Sequence, residues 1–495
     1  MFQIIYRPKE ITRREPVTLP LSKSIALRVM TLNGVCLAQG VAPAHIPLLP
    51  DAEDVEGMER AMTCYKKVVT PQGKSSSQGC DLNSERDSDP TSDHHTDGDN
   101  HDNGDHPADG DPHSDGKVDS KSDHTVYIGE GGAPLRFFTA LAASTPGIDL
   151  RLQASPGLMR RPLVILLRAL QESGADIQSL LTPGYPPLKI IGKQLHTTHL
   201  LMNPGVSSQF VSALMMAAPL WETGLNLTFD GHNPVSTPYI DMTAGIMHRF
   251  GLKVILETEE VTGNRRIIVP RAECRPPREF PIESDWSAAS YFYEISLLSP
   301  GVEIPIANLT PAADSLQGDA RCSEIFALLG VETRTDPDTK ETTLYCDPEK
   351  LELFTQLDTP LILDMNDTPD LVPAMTVGFC LAGIKFRFDS VSHLRHKETD
   401  RLTALAAEME KIGYMLEIGD DSLTWRGRRC PASDNEAICT YSDHRMAMAF
   451  APAAIKLPYL AIEHPEVVGK SFPRYWEQLQ RLGFQIADTA PRPLL

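Results

Sequence analysis

Residues 370–413 read DLVPAMTVGFCLAGIKFRFDSVSHLRHKETDRLTALAAEMEKIG, and the stretch holds two helices of different character. The first opens on the polar Asp370 and runs on in Leu, Val, Ala, Met and Phe as far as Gly383. The second places Leu402, Leu405, Ala406, Met409 and Ile412 at offsets of 3, 4, 7 and 10 from the first of them. That is one apolar stripe at a period of about 3.6 residues, the mark of an amphipathic helix. Thr399 is its expected N-cap, and Gly413 stops it after Lys411. Lys397 and Glu398 then sit in the entering loop and Arg401 in the first turn, around backbone N–H groups that already favour an anion.

The pair recurs along the chain. Apolar helices with polar openers are read at PLRFFTALAAST (134–145), SSQFVSALMMAAPL (207–220), DWSAASYFYEISLL (285–298) and DHRMAMAFAPAAI (443–455). Charged helices end at Gly174, Gly251, Gly330, Gly413 and Gly483, at nearly equal intervals, each followed by an apolar strand. Two series stepping together at nearly one period indicate an internally duplicated α/β unit, longer than the roughly 20 to 50 residues of solenoid repeats. The first unit, from Ser24 to Leu135, exceeds that period until the segment 71–124 is set aside. The chain therefore reads as six related α/β units with one insertion.

That insertion carries thirteen Asp and one Glu against three Lys and one Arg, and six His. With almost no apolar side chains it cannot bury enough surface to offset ordering entropy, so disorder is expected. Its His and Asp fix no ligand geometry of the kind a selective metal site needs. At 495 residues the whole chain calls for two or more domains. The formal net charge of -20 argues against nucleic acid or an anionic membrane as a partner. Nine scattered Cys, never spaced as CxxC, suit free thiols in a reducing, cytoplasmic setting. The N-terminus MFQIIYRPKEITRRE has no apolar core of a signal peptide.

Within this acidic chain the helix openers are basic. LSKSIALR supplies Lys23, Ser24 and Arg28, with Lys23 and Arg28 placed to face one anion; GEGGAPLR is a glycine-rich turn running into Arg136, in which Glu130 would repel phosphate. SPGLMRRP ends in Arg160 and Arg161, VSSQ offers Ser207, Ser208 and Gln209 as neutral donors, and the later units add Arg445 and Lys470. Capping or surface pairing explains any one of these, but together they predict a localised cationic cleft for small polyanions.

LPLSKSIALR, GEGGAPLR, SSQFVSALMMAAPL, STPYID, MNDTPDLVPAMT, HKETDRL, TYSDHRMAM and GKSFPRYWEQL resemble, in order, the motifs of the EPSP synthase (3-phosphoshikimate 1-carboxyvinyltransferase) family of enolpyruvyl transferases. The resemblance covers nearly all of the chain outside the insert. It implies two inside-out α/β barrels, each of three βαβαββ-like units, joined by a two-strand hinge. The N-terminal domain would be 21–283, carrying the insert, and the C-terminal domain 1–20 plus 284–495. It further implies transfer of the carboxyvinyl group of phosphoenolpyruvate to the 5-hydroxyl of shikimate 3-phosphate; a cytoplasmic monomer is expected, without cofactor or metal, since the cleft's own cations meet the charge demand.

By resemblance, Lys23, Gly132, Arg161, Gln209, Arg401, Arg445 and Lys470 hold phosphoenolpyruvate. Ser24, Arg28, Ser207, Ser208, Gln209, Ser236, Tyr239, Asp370 and Lys397 hold shikimate 3-phosphate. A hydroxyl must lose a proton and a methylene carbon must gain one, so carboxylates have to sit among the cations; Asp370 and Glu398 fill that place, with Lys23 as a further proton shuttle. Asp400 is expected to orient an Arg, and His444 either to meet substrate or to orient Arg445. Leu21, Ala26, Leu27, Glu130, Ala133 and His393 depart from the usual pattern, and they cluster beside the phosphoenolpyruvate pocket. The loop SPGLMRR lacks the Cys of the related UDP-N-acetylglucosamine carboxyvinyltransferases.

Overall fold

A computed structural model of the chain describes residues 2–8, 11, 15–70, 124–197, 199–203, 207–229, 236–258, 264–433 and 436–489. The disorder expected of the insert concerns residues outside this set, except that His124 already opens a strand.

Three four-stranded sheets share one topology. In the sheet built from 361–425, Leu361–Asp364 runs parallel to Phe386–Asp389, which is antiparallel to Ser422–Trp425, with Glu417–Ile418 at the far edge. Strands within 124–191 and within 200–269 repeat this first-second-fourth-third order. The two three-stranded sheets are the same unit with its first strand reduced to a bridge. Val17 pairs in parallel with Ile306, and Ile438 with Ile462. In the last of them Phe2–Tyr6, from the opposite end of the chain, lies between Tyr459–Glu463 and Gln485–Thr489. Five of the six predicted units are thus seen, and the first shows its helices Lys23–Ala38 and Glu53–Val69.

The two helix classes fold as their patterns dictate. A helix apolar all round must be buried all round, and every residue of Trp286–Leu298 is. In Val372–Ala382 the residues from 372 to 381 are buried. Each charged helix is stopped by its predicted glycine, at φ of +94° for Gly174, +72° for Gly251, +91° for Gly330 and Gly413, and +96° for Gly483. That left-handed conformation is one a side chain with a Cβ resists. The strands after these glycines are short and half-exposed rather than apolar, as in DIQS (176–179) and VETRT (331–335).

Apolar side chains gather into two clusters. One runs from Ile25 to Ile282; the other joins Ile5, Val17 and Leu19 to residues between Trp286 and Phe484. The chain passes between them twice, side by side: Leu21 bridges Ser284, Ser22 N–H donates to the Glu283 carbonyl at 2.7 Å, and Asp285 N–H to that of Pro20 at 2.9 Å. Among the described residues no helix is long and apolar enough to cross a membrane.

Candidate active site

The charges of HKETDR converge where the Arg401–Lys411 helix begins. Asp400, one residue beyond the expected Thr399, is the N-cap: its carboxylate accepts from the Thr403 N–H at 3.2 Å and the Thr403 hydroxyl at 2.9 Å. An anion at this position also answers the helix dipole. Asp400 faces Arg395 at 3.5 Å, as the expected partner of an Arg. Arg401 is left to turn inward.

Arg401 is 1% exposed and meets three carboxylates. Its Nε donates to Asp443 Oδ2 at 2.7 Å, Nη1 to Asp370 Oδ1 at 2.9 Å, and Nη2 to Glu398 Oε2 at 2.9 Å. Burial alone would discharge such a guanidinium, but Asp443, Glu398 and Asp370 hold it more firmly protonated than usual. Asp443 also caps its own helix, accepting from the Arg445 N–H at 2.9 Å.

Asp370 is the hub. Beyond Arg401 it accepts from Arg445 Nη2 at 2.8 Å and from the Tyr239 hydroxyl at 3.0 Å, with Lys397 Nζ at 3.7 Å. Burial opposes its charge, yet Arg445, Lys397 and Arg401 outweigh it and keep the carboxyl well below the usual range. Glu398 follows the same rule, with burial overcome by Arg401, Arg161 and Lys397. Two ionised carboxylates therefore stand among cations, the requirement set by proton transfer.

On the facing side the residues start helices. Ser207 caps Ser208–Ala217 through the Gln209 N–H, and Ser236 stands at the N-cap position of Thr237–Arg249 in a left-handed conformation at φ +59°, without a side-chain cap bond among the described residues. Gln209 accepts from Arg136, whose guanidinium lies 5.0 Å above the Phe210 ring. A Cβ on Gly132 would come within 2.5 Å of Arg136 Nη1 and 3.4 Å of Arg161 Nη1, so the glycine lets two arginines close over the backbone. Lys23 Nζ donates to Asp54 Oδ2 at 2.8 Å and to the Lys470 carbonyl at 3.3 Å. Lys470 Nζ lies 3.2 Å from Glu130 Oε2.

Lys23 and Arg28 do not share one outlook. Positions five apart on a helix are about 140° apart around it. Arg28 accordingly turns into its own core, donating to Thr243 Oγ1 at 2.7 Å, the Ser24 carbonyl at 2.8 Å, Ser212 Oγ at 3.3 Å and the Tyr239 carbonyl at 3.4 Å. Burial lowers its guanidinium to about 10. His444 is buried at 3% exposure with neither ring nitrogen hydrogen-bonded among the described residues. Burial, Lys23 and Arg445 keep it neutral, well below the usual His range. His393 is likewise pushed down to about 4 by burial and Lys397.

Three residues here had no assigned role in the sequence. Asp443 and Arg136 stand inside quoted motifs, DHR and GGAPLR, beside residues that drew the attention. Asp319, in QGDAR, carries no local signal; it accepts from the Ser287 hydroxyl, and burial with the charge of Asp370 raises its carboxyl to about 7.

The family profile described as EPSP synthase (3-phosphoshikimate 1-carboxyvinyltransferase) matches residues 110–479. A 3-phosphoshikimate 1-carboxyvinyltransferase of Bacteroides fragilis is 40% identical over 371 residues, 75% of this chain and 86% of the relative. Proteins of the same name from Syntrophobacter fumaroxidans and Methanoculleus marisnigri are each 34% identical, over 73% and 72% of this chain and 81% and 78% of theirs. The solved structure of an EPSP synthase from Acinetobacter baumannii superposes with a TM-score of 0.65 at 17% identity, covering 99% of this chain and 100% of that one. At that identity the likeness speaks for the mixed α/β fold with several sheets.

Proposed function

This chain belongs to the EPSP synthase (3-phosphoshikimate 1-carboxyvinyltransferase) family, and from that membership we propose how its residues transfer the carboxyvinyl group of phosphoenolpyruvate to the 5-hydroxyl of shikimate 3-phosphate. The observation that carries the reading is Asp370, an ionised carboxylate held by Arg401 and Arg445 from one half and Tyr239 from the other. A base fixed among cations, where two anionic substrates must meet, is what this chemistry demands.

Around that base, Arg401, Arg445, Lys470, Lys23 and Arg161 neutralise phosphoenolpyruvate, with Gly132 and Gln209 at its edge. Ser24, Arg28, Ser207, Ser208, Gln209, Ser236, Tyr239 and Lys397 surround shikimate 3-phosphate. Asp370 or Glu398 accepts the proton of the 5-hydroxyl as its oxygen bonds to C2 of phosphoenolpyruvate, and C3 takes up a proton. Loss of that C3 proton with departure of phosphate then leaves the enol ether. Both carboxylates are held ionised, so each acts first as a base; Lys23, beside the cleft, is the further shuttle.

The two apolar clusters support domains of 21–283 and of 1–20 with 284–495, each an inside-out barrel of three units. The paired strands at 20–22 and 283–285 form the hinge between them. Cys36, Cys274, Cys322, Cys346, Cys380, Cys430 and Cys439 are free thiols, which suits a cytoplasmic enzyme, and we place it there as a monomer.

The test is phosphate release on mixing the purified protein with both substrates, with the product's mass measured. Release that requires both, giving the carboxyvinyl ether, is the expected result. Binding of shikimate 3-phosphate without release would make the protein a binder on an enzyme scaffold.

A further inference from the structure

Lys470 already has a partner of opposite charge. Its ammonium lies 3.2 Å from Glu130 Oε2 and donates to the Ser442 carbonyl at 3.2 Å. Lys23, whose Nζ donates to the Lys470 carbonyl, pairs with Asp54 at 2.8 Å. Each lysine assigned to phosphoenolpyruvate thus carries a protein carboxylate as its counter-ion.

The two carboxylates differ in how readily they can leave. The Asp54 side chain is 15% exposed. It sits in the first turn of Glu53–Val69, where the helix dipole favours its charge. It is also hemmed in, since a Cβ on Gly131 would come within 2.7 Å of Asp54 Oδ1. The Glu130 side chain is 52% exposed and stands in a turn between Gly129, at φ +79°, and Gly131. A third acid, Glu53, is close by: burial and the charge of Glu130 raise its carboxyl, with Lys470 opposing. A phosphate or carboxylate arriving at Lys470 would meet like charge if Glu130 stayed. Glu130 has open water to turn into, and Asp54 has little.

We propose that Glu130 is an exchangeable counter-ion of Lys470, a specificity-determining residue that an anionic substrate displaces as it binds. This deepens the assignment of Lys470 to phosphoenolpyruvate and rests on it. Glu130 takes no part in bond making. It sets the threshold an anion must exceed to hold the lysine. A lone phosphate exchanges one ion pair for another and gains little. A ligand bearing both phosphate and carboxylate engages Arg401, Arg445 and Lys23 as well, and so passes the threshold. Glu130 thereby discriminates phosphoenolpyruvate from the inorganic phosphate that the reaction releases.

Glu130→Gln keeps the shape and removes the charge. At low ionic strength the variant should lower the KM for phosphoenolpyruvate by about 2- to 5-fold, the factor an exposed ion pair carries. The difference should shrink at high salt as the pair is screened, and the effect should appear in KM rather than in kcat. Inorganic phosphate, titrated calorimetrically into both proteins, should bind the variant more tightly by at least the same factor. An unchanged or raised KM, or phosphate binding no tighter than in the parent, overturns the proposal. If the parent protein fails to turn over the two substrates, the assigned reaction fails, and the phosphate titration still decides the role of Glu130: tighter binding in the variant upholds it, equal binding refutes it.

Discussion

The Tyr239 hydroxyl donates to Asp370 Oδ2 at 3.0 Å, and the two residues stand on different cores. Tyr239 packs against the cluster running from Ile25 to Ile282, whereas Asp370 immediately precedes Leu371 and Val372 of the other. The carboxylate that holds Arg401 and Arg445 is therefore also one of the points where the halves of the chain touch. Burial and the charges of Asp370 and Asp319 push the phenol well above its usual range, so it remains a donor. The contact between the halves and the fixing of this carboxylate share one hydrogen bond.

Removing that donor tests the coupling. A hydrogen bond to a charged acceptor contributes roughly 1.5–3 kcal/mol. Tyr239→Phe should therefore weaken shikimate 3-phosphate binding at least about tenfold in a calorimetric titration, while circular dichroism stays that of the parent. Binding as tight as the parent's would detach this contact from substrate recognition.

The five units seen were legible because two local signals repeat: an all-apolar helix and an amphipathic helix with a positive-φ glycine at its end. Gly174 and Gly483 need only their own neighbours to explain them. The pairing of Phe2–Tyr6 with strands at 459–463 and 485–489 is different, since periodicity carries no register between elements that far apart; the family resemblance placed residues 1–20 with the C-terminal domain but named no strand partners. Thr399 and Asp400 are both good caps, and which one serves is decided by where the chain turns. Asp319 was invisible because burial and a neighbouring carboxylate, both tertiary properties, make its chemistry.

Glu398 separates chemistry from binding. It touches Arg401 through Oε2 and is held ionised, so Glu398→Gln keeps the hydrogen bond and removes the basicity. General acid–base groups contribute about 10²–10⁴-fold. We expect kcat to fall by that order, with the dissociation constant for shikimate 3-phosphate changed by less than about tenfold. Steady-state rates and a binding titration on the same preparation check it. An undiminished kcat would leave Asp370 as the only carboxylate in proton transfer.

Asp319 makes the fold sensitive to pH near neutrality. Its folded carboxyl is raised to about 7, first by burial and then by Asp370, whereas an unfolded Asp titrates near about 3.9. The folded state therefore holds a proton that the unfolded chain releases. The stability this gives is complete below about pH 4 and is lost as pH rises to about 7. Asp319→Asn cannot ionise. Its melting temperature should fall less than the parent's between pH 5 and 7.5, and parallel curves would remove Asp319 as the titrating group.

Arg401 sits where substitution by lysine is least conservative. Its Nε, Nη1 and Nη2 each reach a different carboxylate, on Asp443, Asp370 and Glu398. A lysine offers one charged atom on a flexible stem and cannot span the three. Arg401→Lys retains the net charge, yet at least one carboxylate loses its partner in a site with 1% exposure at the guanidinium. Breaking a buried pair costs about 3–5 kcal/mol when one partner is removed outright; with the charge kept, we expect roughly half of that in denaturant unfolding. The functional loss should be larger. Asp370 would keep only Arg445 and Lys397 as its cations, beside the Tyr239 hydroxyl, and phosphoenolpyruvate would lose a fixed cation, so its KM should rise by more than tenfold and kcat should fall with it. Arg445→Lys is the control, since Arg445 reaches Asp370 through Nη2 and is not shared among three acids. If both variants lose the same stability, the three-way fork of Arg401 is not what holds these acids in place.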